Sequence, residues 1–180
     1  MLKMNTGIIS VRYARALQKS AALNGDTENV FSDMKNLAAN FLALPGLGKA
    51  MDNPTIAKAD KEQLLVTACG GNPCNQTRSF LKLVLKEGRE NMVQFMANSY
   101  MSLYRSGKNI VPARLITAVP VDESTRSKFN DVVKKRTKAD IEFETKVDAD
   151  IIGGFILEYD TYRLDSSVKT QLRSILKQLK

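Results

Sequence analysis

Histidine is absent from this 180-residue sequence, and cysteine occurs only at Cys69 and Cys74. Without an imidazole, every histidine-based catalytic arrangement is excluded and most transition-metal sites are removed, zinc fingers among them. The two cysteines lie in ACGGNPC, beside a predicted helix end. We interpret them as reduced, partly buried thiols, with a redox or disulfide role as the alternative. Neither a metal nor a cofactor is expected.

Long apolar runs are also absent. No stretch approaches the roughly 18–20 residues that a membrane-spanning helix needs, and residues 1–5 show no secretory signal. Apolar residues make up 43% of the chain and charged residues 26%, which is typical of a globular protein. We therefore expect a soluble protein made in the cytoplasm.

The net charge of +8 raises the possibility of nucleic-acid binding. Residues 1–105 carry thirteen Lys/Arg against eight Asp/Glu, and residues 106–180 carry fourteen against eleven, so we interpret the excess as spread along the chain. One dense basic run, Lys134-Lys135-Arg136 with Lys138, lies at a predicted helix end. A solvated face that suits the helix dipole explains this run about as well as phosphate contact does.

Residues 1–105 show helical periodicity and no strand pattern, which predicts a bundle of six helices. The first helix spans 8–23, and its predicted inner side carries Ile9, Tyr13, Ala16, Leu17 and Ser20. Arg12, Arg15 and Lys19 lie on the other side. Its alanines make it slim, so another helix can come close. An ordinary packed helix and a partner-facing helix are both compatible with this pattern.

The fifth predicted helix, residues 75–87, is apolar on too many sides. Five of six residues from Phe80 to Leu85 are apolar, whereas a helix with one buried face shows a narrower stripe. We expect this helix to lie at the centre of the bundle, with a partner groove along one edge as a second possibility.

The second half of the chain predicts a small α/β domain over 110–180, after a linker at 106–109. A strand at 113–119 precedes a helix with Phe129, Val132 and Val133 on its inner face, and residues 141–147 alternate as a strand with one buried face. A hairpin follows at 155–164. The final helix carries its apolar stripe at Val168, Leu172, Ile175, Leu176 and Leu179, and Asp165, Ser166 and Ser167 can cap its start. The predicted fold class is α+β.

Carboxylates are the main candidates for catalysis in a chain of this composition. Asp148, Asp150, Asp160 and Asp165 are the acids worth testing, but each stands at a strand end, a turn or a cap, which is a structural position. Gly153-Gly154 lacks the lysine and the glycine spacing of a phosphate loop, so close backbone packing is the preferred interpretation. We predict no catalytic residue.

Three segments resemble a known family. YARAL (13–17), FLKLVLKEGR (80–89) and, above all, VDADIIGGFILEYDTYRLDSSVKTQL (147–172) look like the delta subunit of F-type ATP synthase, whose mitochondrial counterpart is the oligomycin-sensitivity-conferring protein. The resemblance covers essentially the whole chain, and its C-terminal signature is the specific part. Ser166 stands where the family usually has glycine.

The resemblance implies a non-catalytic peripheral-stalk (stator) subunit of a proton- or sodium-driven rotary ATP synthase. Such a subunit links the catalytic head to the membrane sector, on the cytoplasmic face of the cell membrane, and reaches the membrane only through the complex. The family's helical bundle binds the N-terminal helix of an alpha subunit between its first and fifth helices, and its C-terminal part holds the C-terminal end of subunit b. This implies alpha-binding residues at Arg12, Ala16, Lys19, Phe80, Leu83 and Val84. It implies that the stripe Val168, Leu172, Ile175, Leu176 and Leu179 contacts subunit b.

A basic helical nucleic-acid-binding module is the alternative function. It predicts binding that falls steeply with salt, because phosphate contacts release counterions. The stator interpretation, with an apolar groove, predicts alpha-subunit binding that barely weakens with salt and no nucleic-acid partner.

Overall fold

The computed structural model of the chain describes residues 2–137, 139–159 and 161–178. Helices and a four-stranded sheet are both present, which confirms the α+β class. The chain divides into two compact units, Met1–Tyr104 and Arg105–Lys180.

The first unit is helical. Turn signals in the sequence separate its elements: Gly25 takes a φ of 73° after the first helix, and Pro45 starts the third at a position where its missing N–H costs nothing. The elements before the first strand are α1 (Leu2–Asn24), α2 (Thr27–Ala43), α3 (Pro45–Asp52), α4 (Lys58–Ala68), α5 (Asn75–Lys86), a 3-10 turn (Glu90–Met92) and α6 (Val93–Lys108).

The core of this unit follows the helical periodicity of α2 and α5. Val30, Met34 and Leu37 on α2 are fully buried, as their spacing predicts, and Leu81 on α5 is fully buried too. Tyr100 is also fully buried, and its hydroxyl donates a hydrogen bond to the Thr27 carbonyl oxygen at 3.2 Å. The hydroxyl group of this large side chain therefore has a hydrogen-bond partner inside the unit.

A charged residue belongs to the same core, which periodicity alone does not predict. Lys61 on α4 is 3% exposed, and its Nζ donates to Glu90 Oε1 and to the Met51 carbonyl oxygen, each at 2.7 Å. Burial would raise the pKa of Glu90, but the hydrogen bond and charge of Lys61 hold it below its ordinary value. The buried side of α4 therefore runs through Lys61 and Leu65, and the neighbouring Leu64 is 41% exposed.

The predicted linker at 106–109 is largely helical. α6 continues through Lys108 because a single glycine, Gly107, costs a helix only about 1 kcal/mol. The helix ends where Asn109 takes a φ of 52°, a left-handed conformation that asparagine adopts more readily than most residues. The break in helical structure thus comes at one residue rather than over four.

The second unit is built on a mixed sheet. Its strands are β1 (Ile110–Thr117), β2 (Asp140–Val147), β3 (Phe155–Tyr159) and β4 (Tyr162–Asp165), in the order β2-β1-β3-β4. β1 pairs in parallel with β2 through the crossover helix α7 (Glu123–Thr137), and the other pairs are antiparallel. A 3-10 turn (Ala149–Ile151) follows β2, and α8 (Val168–Gln178) follows β4.

One face of this sheet holds the core of the second unit. Leu115 and Val133 are fully buried, and the rings of Phe129 and Phe155 meet edge to face with centroids 4.8 Å apart. Val132, predicted on the inner face of α7, is instead 52% exposed. β2 is also less buried than its alternation predicts: its second half, from Glu144 to Val147, is exposed because β2 lies at the edge of the sheet.

Gly154 allows two backbone segments to approach closely. It has a φ of 75°, and a Cβ there would lie 2.2 Å from the carbonyl oxygen of Ser166. The Ser166 N–H donates to Phe155 O at 2.9 Å, and the Val168 N–H donates to Gly153 O at 3.0 Å, so the start of β3 is joined to the start of α8. Ser166 is not among the described residues with positive φ, so this turn accommodates a side chain at that position.

The two cysteines differ in environment. Cys69 is 2% exposed and Cys74 is half-buried, and both are free thiols. Burial raises the pKa of the Cys69 thiol to about 12, with smaller contributions from Asp33 and Cys74. Asp33 itself accepts a hydrogen bond from the Cys74 N–H at 3.0 Å, just before α5 begins. The structure thus agrees with the interpretation of reduced, partly buried thiols.

Substitution of Gly154 by alanine should destabilise the protein by at least about 2 kcal/mol. The alanine would combine an unfavourable φ with a backbone clash that no side-chain rotation relieves. Gly48→Ala in α3 is the matched control, since a Cβ there meets nothing within 4 Å and the helix gains propensity. Urea unfolding followed by circular dichroism measures both. Equal midpoints for the two variants would contradict the close approach at Gly154.

Alkylation by iodoacetamide at pH 8 should be roughly a thousandfold slower at Cys69 than at an ordinary thiol, because few molecules carry the thiolate. The Cys74→Ser variant leaves Cys69 as the one thiol, and mass spectrometry follows its modification with and without urea. Rapid labelling of the folded variant would show that Cys69 is accessible and ionised.

Candidate partner-binding surfaces

The buried side of α1 consists mainly of small side chains. Ser10, Ala14, Leu17 and Ala21, at i, i+4, i+7 and i+11, are at most 4% exposed. The predicted inner side is therefore displaced: Ala16 and Ser20 are exposed, and only Leu17 belongs to both sets. Because α1 has alanines on several sides, the sequence pattern could not show which of them face the neighbouring helices.

α1 and α5 are neighbours. The rings of Tyr13 on α1 and Phe80 on α5 meet edge to face at 6.4 Å, and the Arg89 guanidinium carbon lies 5.3 Å from the centroid of the Tyr13 ring. Tyr13 is thus held by an aromatic contact and a cation–π contact from the segment that contains α5. The pairing of the first and fifth helices that the family resemblance implies is present.

The six residues predicted to bind an alpha subunit do not share one environment. Arg12, Ala16 and Lys19 are exposed on α1, and Leu83 on α5 is 47% exposed. Phe80 and Val84 are 6% and 0% exposed, so they belong to the core and are not part of the candidate surface. Two facts therefore explain why α5 is apolar on so many sides. Most of its apolar residues are buried in the core, and Leu83 is exposed at its outer edge.

A groove of about 670 Å³ runs along the outer side of α1. We name it the α1 groove, and its described lining is Gly7, Ile8, Val11, Arg12, Arg15, Ala16 and Lys19. The sequence analysis missed Ile8, which is 64% exposed, and Val11 as parts of this surface. Their spacing with Ala16 (i, i+3 and i+8) gives a second apolar stripe that could have shown it.

Positive charge is concentrated on the two helices of this region. α1 contains four Lys/Arg and α5 contains three, and neither contains an acidic residue, so they carry seven of the chain's eight excess charges. The interpretation that the excess is spread along the chain is therefore wrong at the level of single helices. Within the described part of the chain, no acidic group lies within 4 Å of Arg12, Arg15 or Lys19.

The basic run near the end of α7 is partly neutralised. Lys134 lies 3.4 Å from the Asp140 carboxylate, and Lys135 is exposed. The Arg136 side chain and Lys138 lie outside the described part of the chain. This run therefore provides less free charge than the sequence suggests.

The start of α8 is capped as the sequence predicts. Ser167 Oγ accepts a hydrogen bond from the Thr170 N–H at 3.3 Å, while the Asp165 carboxylate accepts from the Ser167 hydroxyl at 2.7 Å and from its N–H at 3.0 Å. These hydrogen bonds, led by that of the Ser167 hydroxyl, hold the pKa of Asp165 below its ordinary value. The cap fixes where α8 leaves the sheet.

Most of the apolar stripe of α8 faces solvent. Leu172, Ile175 and Leu176 are 47%, 52% and 62% exposed, whereas Val168 is half-buried at the Gly153 turn. Leu179 lies outside the described residues. Three aliphatic side chains within two helical turns thus form an exposed strip, which we name the α8 strip (Leu172, Ile175 and Leu176). Such a strip marks an interaction site more often than scattered exposed residues do.

The candidate catalytic acids have structural roles or stand apart. Asp148 Oδ1 accepts a hydrogen bond from the Asp150 N–H at 3.0 Å at the 3-10 turn, and Asp165 caps α8. Asp160 lies outside the described residues. Across the described chain, no three His, Cys, Asp or Glu side chains come together as metal ligands, and no helix has the length and apolar character to cross a membrane.

Comparisons with known proteins identify the family of the chain. The family described as ATP synthase delta (OSCP) subunit matches residues 9–179. The chain is 40% identical to ATP synthase subunit delta of Bacteroides fragilis over 177 residues, which is 97% of this chain and 95% of that protein. It is 39% identical to the same subunit of Phocaeicola vulgatus over 176 residues, again 97% and 95% of the two chains.

The fold also has a solved counterpart. A chain of the Toxoplasma gondii mitochondrial ATP synthase hexamer superposes with a TM-score of 0.67 at 19% identity, over 94% of this chain and 96% of the other. At that identity the match concerns the fold alone. Together with the family match over nearly the whole length, it leads to one conclusion: this chain belongs to the ATP synthase delta (OSCP) subunit family, whose members are non-catalytic subunits of the ATP synthase complex.

Proposed function

We propose that this protein is a stator subunit of the peripheral stalk, which ties the catalytic head of a proton- or sodium-driven ATP synthase to its membrane sector and resists the torque of the rotor. Family membership supports a place in the ATP synthase complex. The observation that carries the linking role is that each compact unit has its own exposed apolar surface, the α1 groove in one and the α8 strip in the other. A protein that joins two partners needs two such surfaces.

The α1 groove, together with the exposed Leu83 on the neighbouring helix α5, is the proposed binding site for the N-terminal helix of an alpha subunit. We propose that the six N-terminal helices act as one bundle that presents this groove. An amphipathic helix laid in a groove buries an aliphatic stripe, and full burial of a side chain such as Ile8 or Leu83 contributes about 1.5–3 kcal/mol. Arg12, Ala16, Lys19 and Leu83 are the predicted residues that remain available for this contact.

The α8 strip is the proposed contact for the C-terminal end of subunit b. Leu172, Ile175 and Leu176 are available on α8, while Val168 mainly supports the turn beneath them. The Asp165–Ser167 cap holds the first turn of α8 in place, and a pre-formed helix loses less conformational entropy on binding than a disordered segment does. The protein would reach the cytoplasmic face of the membrane through these partners.

A stator must remain attached while torque is applied, so slow dissociation matters more than chemistry. Nanomolar affinity corresponds to about −12 kcal/mol, which an interface of roughly 1,600 Å² with a few buried anchors can supply. Exposed aliphatic side chains on both units, in the α1 groove and the α8 strip, are the proposed anchors.

Nucleic-acid binding remains a second candidate, because seven of the eight excess positive charges lie on α1 and α5. Against it, the described lining of the α1 groove contains aliphatic side chains and no aromatic one. Single-stranded nucleic acids are usually bound by aromatic stacking as well as by charge. The stator function is therefore preferred.

Ala16→Asp and Leu83→Asp should each weaken binding of the alpha subunit at least tenfold while the fold is retained. Both side chains are exposed, so a carboxylate at either position disturbs the proposed binding surface and not the core. Titration calorimetry of the full chain with a peptide of about twenty N-terminal alpha residues measures this. Ala39→Asp, at an exposed alanine inside α2, is the matched control and should bind normally. Unchanged binding by both variants would show that the proposed binding surface is misplaced.

Leu172→Ser and Ile175→Ser should each weaken binding of a soluble C-terminal fragment of subunit b by about tenfold or more, because each removes a large apolar contact. Gln171→Ser, on the same helix outside the strip, is the control. Biosensor measurements with the full chain give the affinities, and circular dichroism checks that α8 remains folded. Equal affinities for all three variants would place the subunit b site elsewhere.

A further inference from the structure

The cations of the α1 groove share its surface with the apolar side chains. Arg12, Arg15 and Lys19 line the same groove as Ile8, Val11 and Ala16. On a helix, positions three, four, seven and eight residues apart project from one side, so the two sets form a single surface in which cations border an aliphatic stripe. A partner that fills the groove must therefore satisfy both.

These cations also lack the neutralisation seen elsewhere in the chain. Lys61 pairs with Glu90, Arg114 with Glu144 and Arg163 with Glu158. Across the described residues, by contrast, no acidic group lies within 4 Å of the three groove cations. Exposed aliphatic side chains and unpaired charges thus coincide on one surface.

The arrangement costs helix stability in the free protein. Arg12 and Arg15 are spaced i, i+3, and Arg15 and Lys19 are spaced i, i+4, and like charges at these spacings repel each other. α1 has no acidic residue to relieve the repulsion, and α5 beside it adds three further cations and no acid. An acidic partner would relieve this repulsion.

We propose that the segment which docks in the α1 groove is an acidic amphipathic helix, with an aliphatic stripe flanked by Asp or Glu side chains that face Arg12, Arg15 and Lys19. This inference rests on the proposed head-binding function and specifies its partner. It reverses the expectation that binding barely weakens with salt, because charge pairs at the rim of an interface speed association and are screened by ions. Alpha-subunit segments without acidic flanks would be poor ligands for this chain.

The test uses the full chain and two peptides. One is the cognate alpha-subunit N-terminal peptide of about twenty residues, and the other is the same peptide with every Asp and Glu replaced by Asn and Gln. Titration calorimetry at 50 and 500 mM NaCl gives four dissociation constants. We expect the acidic peptide to weaken about tenfold or more with salt. The amide peptide should bind about tenfold more weakly at low salt and change little with ionic strength.

Chain variants locate the effect. Arg15→Gln and Lys19→Gln should each weaken the acidic peptide about threefold at 50 mM NaCl and leave the amide peptide unchanged. Lys49→Gln is the matched control, since it removes one exposed charge from α3, outside the described groove lining. If Lys49→Gln weakened binding of the acidic peptide as much as the groove variants do, the salt dependence would come from the net charge of the chain and not from the groove.

The outcomes separate the two proposals. Tight binding of both peptides with no salt dependence, or a cognate alpha terminus without acidic residues that still binds tightly, would overturn the acidic-partner inference and leave the groove assignment intact. Failure of both peptides to bind at either salt concentration would overturn the groove assignment itself. If single-stranded poly-uridine then bound with steep salt dependence, the cations of α1 would serve nucleic acid.

Discussion

The burial of small side chains along one side of α1 determines which residues of this helix are left on the surface of the helical unit. Ser10, Ala14 and Ala21 let the helix approach its neighbours closely, and Leu17 adds a large apolar contact on that side. Because this side is turned inward, Ile8, Val11 and Ala16 are left on the outside, together with three cations. One packing choice therefore creates both the core contact and the candidate binding surface.

A similar constraint operates in the second unit. Gly154 has space only for a hydrogen atom because the Ser166 carbonyl oxygen occupies the place of a side chain. This approach joins β3 to the start of α8, where Asp165 and Ser167 cap the helix. With its start fixed in this way, α8 keeps Val168 against the turn and leaves Leu172, Ile175 and Leu176 exposed. The glycine at position 154 is thus needed because α8 begins so close to it.

In the proposed complex, charge would add a second level of specificity to the α1 groove. The buried Lys61 is matched to Glu90 inside the unit, so its charge is not available to a partner. The cations of the α1 groove are exposed and border aliphatic side chains, so they can select among apolar helices by their acidic flanks. A net charge of +8 spread over the whole surface would not favour an acidic partner at one groove.

Strong periodicity and local turn chemistry were enough to predict the fold class, the helices α2 and α5, the hairpin and the cap of α8 from the sequence. The C-terminal signature of the family, which contains Gly153-Gly154, was also readable there. Tertiary structure alone decided which side of α1 is buried, that Phe80 and Val84 belong to the core, and that Lys61 lies inside. The reason is physical: alanines and a lysine with a long aliphatic stem fit either environment, so only their neighbours and the Glu90 carboxylate settle where they lie.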